Sequence, residues 1–472
     1  MVNFDLNAEE RAALWQHLIT DLEQYYANTS GLNVAPSLNV SDILALVEKY
    51  PFEQPVSAGK AVEHVIEGLS RYAVHTPHPG YYGLFNPRAT FPGILADAIT
   101  ATFNPQMAAW SHNPFANEVE RYLIREFGKQ FGYPEESIDG VFATGGTEAN
   151  LTAVLCALNH HFPEYANVGL HGLKKHPILY CSAESHHSII RSARVAGLGL
   201  NAVRAIPVDG RQRMDAAGLA QQIQKDLKQG LTPFMIAATA GATGAGAIDP
   251  LPEIAEIAQA HGLWLHVDAA YGGAAILEPS LKGLLKGIEL GHSITFDAHK
   301  WLSAPMGAGM FLTREKDILH HTFRITADYM PKEASAMNVT DPFNHSIQWS
   351  RRFIGLKLYL SLLIFGWEGF AQTVRHQTEM GRLLKKLLRE NGWKLYNDTD
   401  LPIACFSAPA FEADDAFALR ICDKVLQSGK AWISVYRIGK VNTLRACITN
   451  YATTEKEVRG LVKLLERLRG EE

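Results

Sequence analysis

Five short apolar segments, at residues 141–143, 178–181, 235–238, 263–267 and 294–296, each run into a polar or glycine-rich cluster, and helical periodicity fills the stretches between them. From about residue 80 to 350 this alternation is the pattern of βαβ units, which commits the chain to an α/β architecture with a mainly parallel sheet. Ahead of the fourth segment, Ile254, Ile257 and Ala258 fall at i, i+3 and i+4 and Gly262 follows. Residues 253–268 therefore read as helix, turn and strand.

The flanks read differently. Residues 8–26 place Leu14, Leu18, Leu22 and Tyr25 at helical spacing among acids, which predicts an amphipathic helix that Gly31 and Pro36 bring to an end. After residue 353 the pattern is helical again, at 356–365 and 380–388, and a compact α+β tail follows. The expected organisation is an N-terminal helical segment (1–75), a large domain (76–352) and a small C-terminal domain (353–472).

Composition narrows the setting. Apolar residues at 47%, charged residues at 20% and a net charge of −5 argue against a disordered chain and against nucleic-acid binding through bulk positive charge. The five cysteines are an odd number without a C-x-x-C pair, so no disulfide framework is expected and a reducing cytoplasm is the natural compartment. The first ten residues carry acids instead of a basic, then apolar leader, and the greasiest run, 358–367, is half a bilayer crossing. Neither export nor a membrane partner is expected.

In open α/β sheets ligands bind beyond the carboxyl ends of strands, so the residues after each segment carry the chemistry. The first cluster, Thr144-Gly145-Gly146-Thr147-Glu148-Ala149-Asn150, leads into a helix and reads either as a tight turn or as a cradle in which opening N–H groups hold an anion. It is neither a Walker loop nor a dinucleotide fingerprint. The second, Ser182-Ala183-Glu184-Ser185-His186-His187-Ser188, offers a histidine that could stack on a flat ring, bind a metal or simply open a helix. The third puts His266 and Asp268 on one face of a strand, followed by small residues from Ala269 to Gly273 that leave room for a flat ligand. A buried acid there needs a cationic partner or a capping role. The fourth, Asp297-Ala298-His299-Lys300-Trp301, sets a lysine behind an apolar strand, where its amine could form a Schiff base.

One ligand explains all four clusters. Pyridoxal 5'-phosphate needs an anion site, an acid beside its ring nitrogen, a group stacked on its face and a lysine for its aldehyde. A zinc hydrolase built on His186, His187, His266 and Asp268 would need a helical H-x-x-x-H or H-E-x-x-H pair, which the sequence lacks, and no metal is expected.

The motifs TGGTEAN (144–150), AESHHS (183–188), HVDAAYGG (266–273) and FDAHKW (296–301) together resemble the group II pyridoxal-phosphate decarboxylases, a family that includes aromatic-L-amino-acid, glutamate, histidine and cysteine-sulfinate decarboxylases. The resemblance extends from about residue 75 to the C-terminus. It implies the aspartate-aminotransferase type of fold (fold type I), a homodimer with sites at the subunit interface, and release of carbon dioxide from an L-amino acid to leave the amine. It further implies that Lys300 holds the cofactor's aldehyde, Asp268 pairs with the ring nitrogen, His186 stacks on the ring and Ala270 packs on the opposite face. Gly145, Gly146, Thr147 and His299 would hold the phosphate, and Thr243 would contact the cofactor.

By the same resemblance Tyr329, 29 residues after the lysine, returns a proton to the product carbon. Arg445 binds the substrate α-carboxylate, with Arg352 as the second choice. Where relatives often have Asn-Pro or Asp-Pro before His-Lys, this chain has Asp297-Ala298, and an anion at 297 would repel a phosphate. The stretch HPGYYGLFNP (78–87) resembles the substrate-pocket segment. Tyr81, Tyr82, Phe85, Phe103 and Trp110 tilt the expectation toward an aromatic substrate, with Phe85 as the substrate-binding candidate. The alternatives are an aldehyde-forming oxidase or a transaminase on the same scaffold, and a relative that has lost catalysis.

Overall fold

In the computed structural model, which describes residues 4–325 and 339–472, seven strands form the large sheet: β1 (Asp139–Ala143), β2 (Pro177–Ser182), β3 (Val203–Ile206), β4 (Thr232–Thr239), β5 (Trp264–Asp268), β6 (Ser293–Asp297) and β7 (Gly309–Thr313). Their spatial order is β1-β7-β6-β5-β4-β2-β3, with β7 antiparallel to β1 and β6 and all other neighbours parallel. Every residue of β5, β6 and β7 is buried. That is the condition of strands covered by helices on both faces, and it explains their unbroken apolar runs.

The five segments marked by the sequence became β1, β2, β4, β5 and β6, whereas β3 and β7 were not marked. β3 is a half-buried edge strand whose Val-Arg-Ala-Ile carries little pattern. β7 returns so soon after β6 that its partner can only be antiparallel, and the link between them holds Lys300. The helix Leu251–His261 closes on Gly262 in the left-handed region (φ 62°), as its spacing predicted.

The C-terminal part builds a second sheet from β8 (Lys394–Leu395), β9 (Ile403–Ser407), β10 (Ser434–Ile438) and β11 (Val441–Cys447), ordered β10-β11-β9-β8 and wholly antiparallel. Helices Phe417–Gln427 and Glu455–Arg469 contribute Val425, Leu461 and Leu465 to its own apolar core. The two helical runs expected at 356–365 and 380–388 both lie within Leu356–Glu390, where non-helical backbone at Gly366 divides one helix from the next. Gly366 takes φ 61°, ψ −178°, a conformation open to glycine that separates the two periodic stretches.

At the other end, helices Ala8–Asn28, Val40–Val47 and Ala58–Tyr72 contain no buried residue. Leu14, Leu18 and Tyr25 are half-buried, while Trp15, Ile19 and Leu22 on the same helix stand exposed.

Candidate active site

All four strand-end clusters open on one cavity of about 380 Å³. Gly145, Gly146, Thr147, His186, Thr243, Asp268, Ala270, His299 and Lys300 all line it. The parallel order of β2, β4, β5 and β6 explains this: their carboxyl ends lie side by side, so residues 100 or more apart in sequence meet.

At one end, helix Gly146–His161 starts directly after β1 with Gly145 as its cap. Among the described residues, the N–H groups of Gly145 and Thr147 have no protein acceptor. The N–H of Gly146 is taken, for it donates to Asp297 Oδ2 at 3.0 Å. The same carboxylate lies 3.2 Å from Lys300 Nζ and is 1% exposed, and its second oxygen has no donor. An ion pair thus holds the Lys300 amine, with a carboxylate set beside the N–H groups that a phosphate would use. Asp297→Asn keeps an acceptor for Gly146 while removing that charge. We expect it to tighten cofactor binding about tenfold, read as a lower Kd when the cofactor-free chain is titrated with pyridoxal phosphate.

In the middle stands Asp268, 6% exposed. Its Oδ2 accepts from Asn150 Nδ2 at 2.8 Å and its Oδ1 from the Ala270 N–H at 3.1 Å, so each oxygen keeps capacity for a further donor. Behind it, Asn150 Oδ1 accepts from Thr295 Oγ1 (2.8 Å) and lies 2.9 Å from His266 Nε2. Ser293 Oγ accepts from Trp264 Nε1 at 2.9 Å, which leaves its own proton for His266 Nδ1 at 2.8 Å. His266 is therefore neutral with its proton on Nε2. Burial pushes its pKa down to about 4, so the support behind Asp268 keeps one protonation state above that pH.

His186 Nδ1 accepts from the Ser188 N–H at 3.2 Å, and burial holds its pKa below the ordinary histidine value. A neutral ring that lines the cavity is suited to stacking. Phe85 lies beside Lys300, with the amine 5.7 Å from the ring centroid, and stacks on Tyr271 at 4.1 Å.

Arg445 is 3% exposed. Its Nε donates to the carbonyls of Thr243 and Gly244, both at 3.0 Å, its Cζ lies 5.2 Å from the Phe85 centroid, and its second terminal nitrogen has no acceptor. Neither arginine lines the cavity: Arg445 is held on the Thr243–Gly244 turn beside it, whereas Arg352 is exposed and bonds Asp97 Oδ1 at 3.0 Å. Of the other aromatic residues, Tyr82 packs in the small domain's core, Trp110 donates to Glu118, and Phe103 is 80% exposed. Tyr329 lies outside the described residues. The sequence reading gave no role to Asn150, yet an asparagine within the apolar helical run Ala149–Leu158 is a signal in itself, because a buried amide needs partners.

The profile of the pyridoxal-dependent decarboxylase conserved domain matches residues 49–409. The chain belongs to the pyridoxal-dependent decarboxylase family. It is 28% identical to the aromatic-L-amino-acid decarboxylase of Bacillus atrophaeus over 99% of this chain and 97% of that one. It is 32% identical to the acidic amino acid decarboxylase GADL1 of Bos taurus over 72% of this chain and 65% of that one. Among solved structures, Oryza sativa TDC with PLP and tryptamine superposes with a TM-score of 0.94 at 23% identity, covering 100% of this chain and 99% of that one. This member of the decarboxylase family is a pyridoxal-phosphate-dependent amino-acid lyase of fold type I.

The residues present fit the cofactor. An anion cradle with unpartnered N–H groups, an acid with spare acceptor capacity and a buried-side lysine border one cavity. The backbone leaves no slack around them. A Cβ at Gly309 would come within 2.6 Å of Gly145 Cα, and one at Gly146 within 3.3 Å of Ala270 Cβ.

Proposed function

We propose that this decarboxylase acts on an aromatic L-amino acid and releases its amine, with Lys300, Asp268, His186, Arg445 and Tyr329 in the working roles. The observation that carries the reading is the meeting of Lys300, Asp268 and the Gly145–Thr147 cradle on one cavity. Bound pyridoxal phosphate supplies a sink for the electrons that the departing carboxylate leaves behind.

The chain's own groups do the rest. The cradle N–H groups and His299 hold the phosphate. Lys300 would hold the cofactor's aldehyde through its amine, which lies at the cavity beside Asp297. Asp268 keeps the ring nitrogen protonated from a nearly dry position, where a fixed charge acts with most effect. His186 covers one face of the ring and Ala270 the other. The unpartnered nitrogen of Arg445 binds the α-carboxylate and fixes which bond to Cα breaks.

Tyr329 then gives its proton to Cα. Among the described residues the charged groups lining the cavity are Glu148, Asp268, Asp297 and Lys300; Arg445 does not line it but is held on the adjoining Thr243–Gly244 turn, so with Arg445 given to the α-carboxylate no further arginine or second lysine faces a substrate side chain. A neutral side chain suits that lining better than an acidic one, and Phe85 and Tyr271 supply aromatic surface beside it.

The protein works as a homodimer in a reducing cytoplasm. Supporting the dimer, Phe91, Ile94, Leu95 and Ile99 on helix Phe91–Phe103, Leu363 to Phe365 and Met306 at the cavity all stand exposed in the single chain. Supporting the compartment, all five cysteines are free and buried. Among the described residues no helix is long and apolar enough to cross a membrane.

The test is carbon dioxide release from a panel of L-amino acids, with products identified. Aromatic substrates should lead, and a panel led by glutamate or cysteine sulfinate would reject the substrate class. Tyr329→Phe is expected to slow amine formation by about 10²-fold and to divert product toward aldehyde and ammonia. An unchanged amine-to-aldehyde ratio would remove Tyr329 from proton donation.

A further inference from the structure

The segment after β2 holds an acid with no part in the reaction above. Glu184 stands two residues before His186, and its carboxylate accepts a hydrogen bond from the hydroxyl of Tyr436, on β10 of the small domain. Burial and that carboxylate both push the Tyr436 pKa above the ordinary tyrosine value, so the hydroxyl keeps its proton and remains a donor.

Tyr436 is fixed from two sides. Its carbonyl accepts from Thr443 Oγ1 at 2.6 Å across the β10–β11 hairpin, and its ring lies so close against Gly244 that a Cβ there would overlap it. Gly244 follows Thr243, which lines the cavity. The small domain grips this turn elsewhere as well, through Arg445 Nε on the carbonyls of Thr243 and Gly244, Asn397 on Ala245 and Thr399 on Gly246.

The Glu184 loop is short and internally tied. The Glu184 N–H donates to Ser182 Oγ at 3.1 Å, Ser185 Oγ lies 3.1 Å from Thr239 Oγ1, and His186 Nδ1 takes the Ser188 N–H. A displacement at Glu184 therefore has little slack to absorb it before reaching His186.

We propose that Tyr436 is a positioning residue, whose hydroxyl, bound to Glu184, anchors the loop that presents His186 and so sets the orientation of the cofactor ring. The inference rests on the reading that His186 covers that ring.

The test uses the full-length holoenzyme and two readouts, the visible circular dichroism of the lysine-bound cofactor and its rate of dissociation. Tyr436→Phe and Glu184→Ala should each cut the dichroism by about half or more and speed dissociation about tenfold, as for loss of one hydrogen bond to a charged group. The double variant should go no further than either single one, because both remove the same interaction. Glu184→Gln, which keeps an acceptor, should behave as the parent.

Tyr436→Phe within twofold of the parent on both readouts, or effects that add in the double variant, would overturn the proposal. His186→Ala separates its failure from that of the stacking. Dichroism altered by His186→Ala but not by Tyr436→Phe overturns the anchor alone, and dichroism unaltered by His186→Ala overturns the stacking and the anchor together.

Discussion

Lys300→Ala is expected to lose turnover and visible absorbance together. The substitution removes the amine proposed to hold the cofactor's aldehyde, and turnover should fall by at least about 10³-fold through loss of that nucleophile. It also deprives Asp297, 1% exposed, of the cation 3.2 Å away, so part of any damage could come from an uncompensated buried charge. Lys300→Arg separates the two effects, because a guanidinium restores the positive charge without a usable nucleophile. Both variants should be inactive and colourless, with Lys300→Arg melting closer to the parent. A variant that lacks Lys300 yet has the cofactor fixed to the chain by borohydride reduction would show that another amine carries it.

Asp268→Asn should lower kcat by about 10²–10³-fold, the scale seen when one preorganised electrostatic contact to developing charge is lost. The two groups are nearly the same size, so the chain should fold, although the single amide oxygen can accept from only one of the donors Asn150 Nδ2 and Ala270 N–H and the variant should melt somewhat below the parent. Cofactor occupancy should persist, because Lys300 and the cradle are untouched. The informative outcome is therefore a coloured enzyme with little turnover, measured as kcat at saturating substrate alongside absorbance. Turnover within threefold of the parent would mean that the carboxylate at 268 does not hold the ring proton.

Much of this site was legible because the chemistry sits where strands end. An apolar run followed by a polar cluster marked β1, β2, β5 and β6, and the sheet brought Gly145, His186, Asp268 and Lys300 from their carboxyl ends onto one cavity. What stayed hidden depends on contacts between distant segments. The link from Tyr436 to Glu184 spans 252 positions, and no local pattern announces it.

Asn150 was visible as a polar residue in an apolar helix, but its bridge between Asp268 and His266 follows only from the register of β5 against its neighbours. The sequence ranks Arg445 ahead of Arg352 only through the resemblance, since both are charged residues near apolar stretches. Packing separates them, with one on Asp97 at the surface and the other beneath Phe85. β7 was missed because it follows β6 with no helical stretch between them and pairs with it antiparallel, so the alternation that marked the other strands does not mark it.

The hold of Arg445, Asn397 and Thr399 on the turn at Thr243 to Gly246 has a consequence for biogenesis. A nascent chain that has delivered Lys300 and Asp268 from the ribosome still lacks the residues that shape the Thr243 side of the pocket, which emerge more than 95 positions after the lysine. Cofactor capture in its final geometry is then a post-translational event, and loading the vitamin doubles as a check that synthesis reached the last strand.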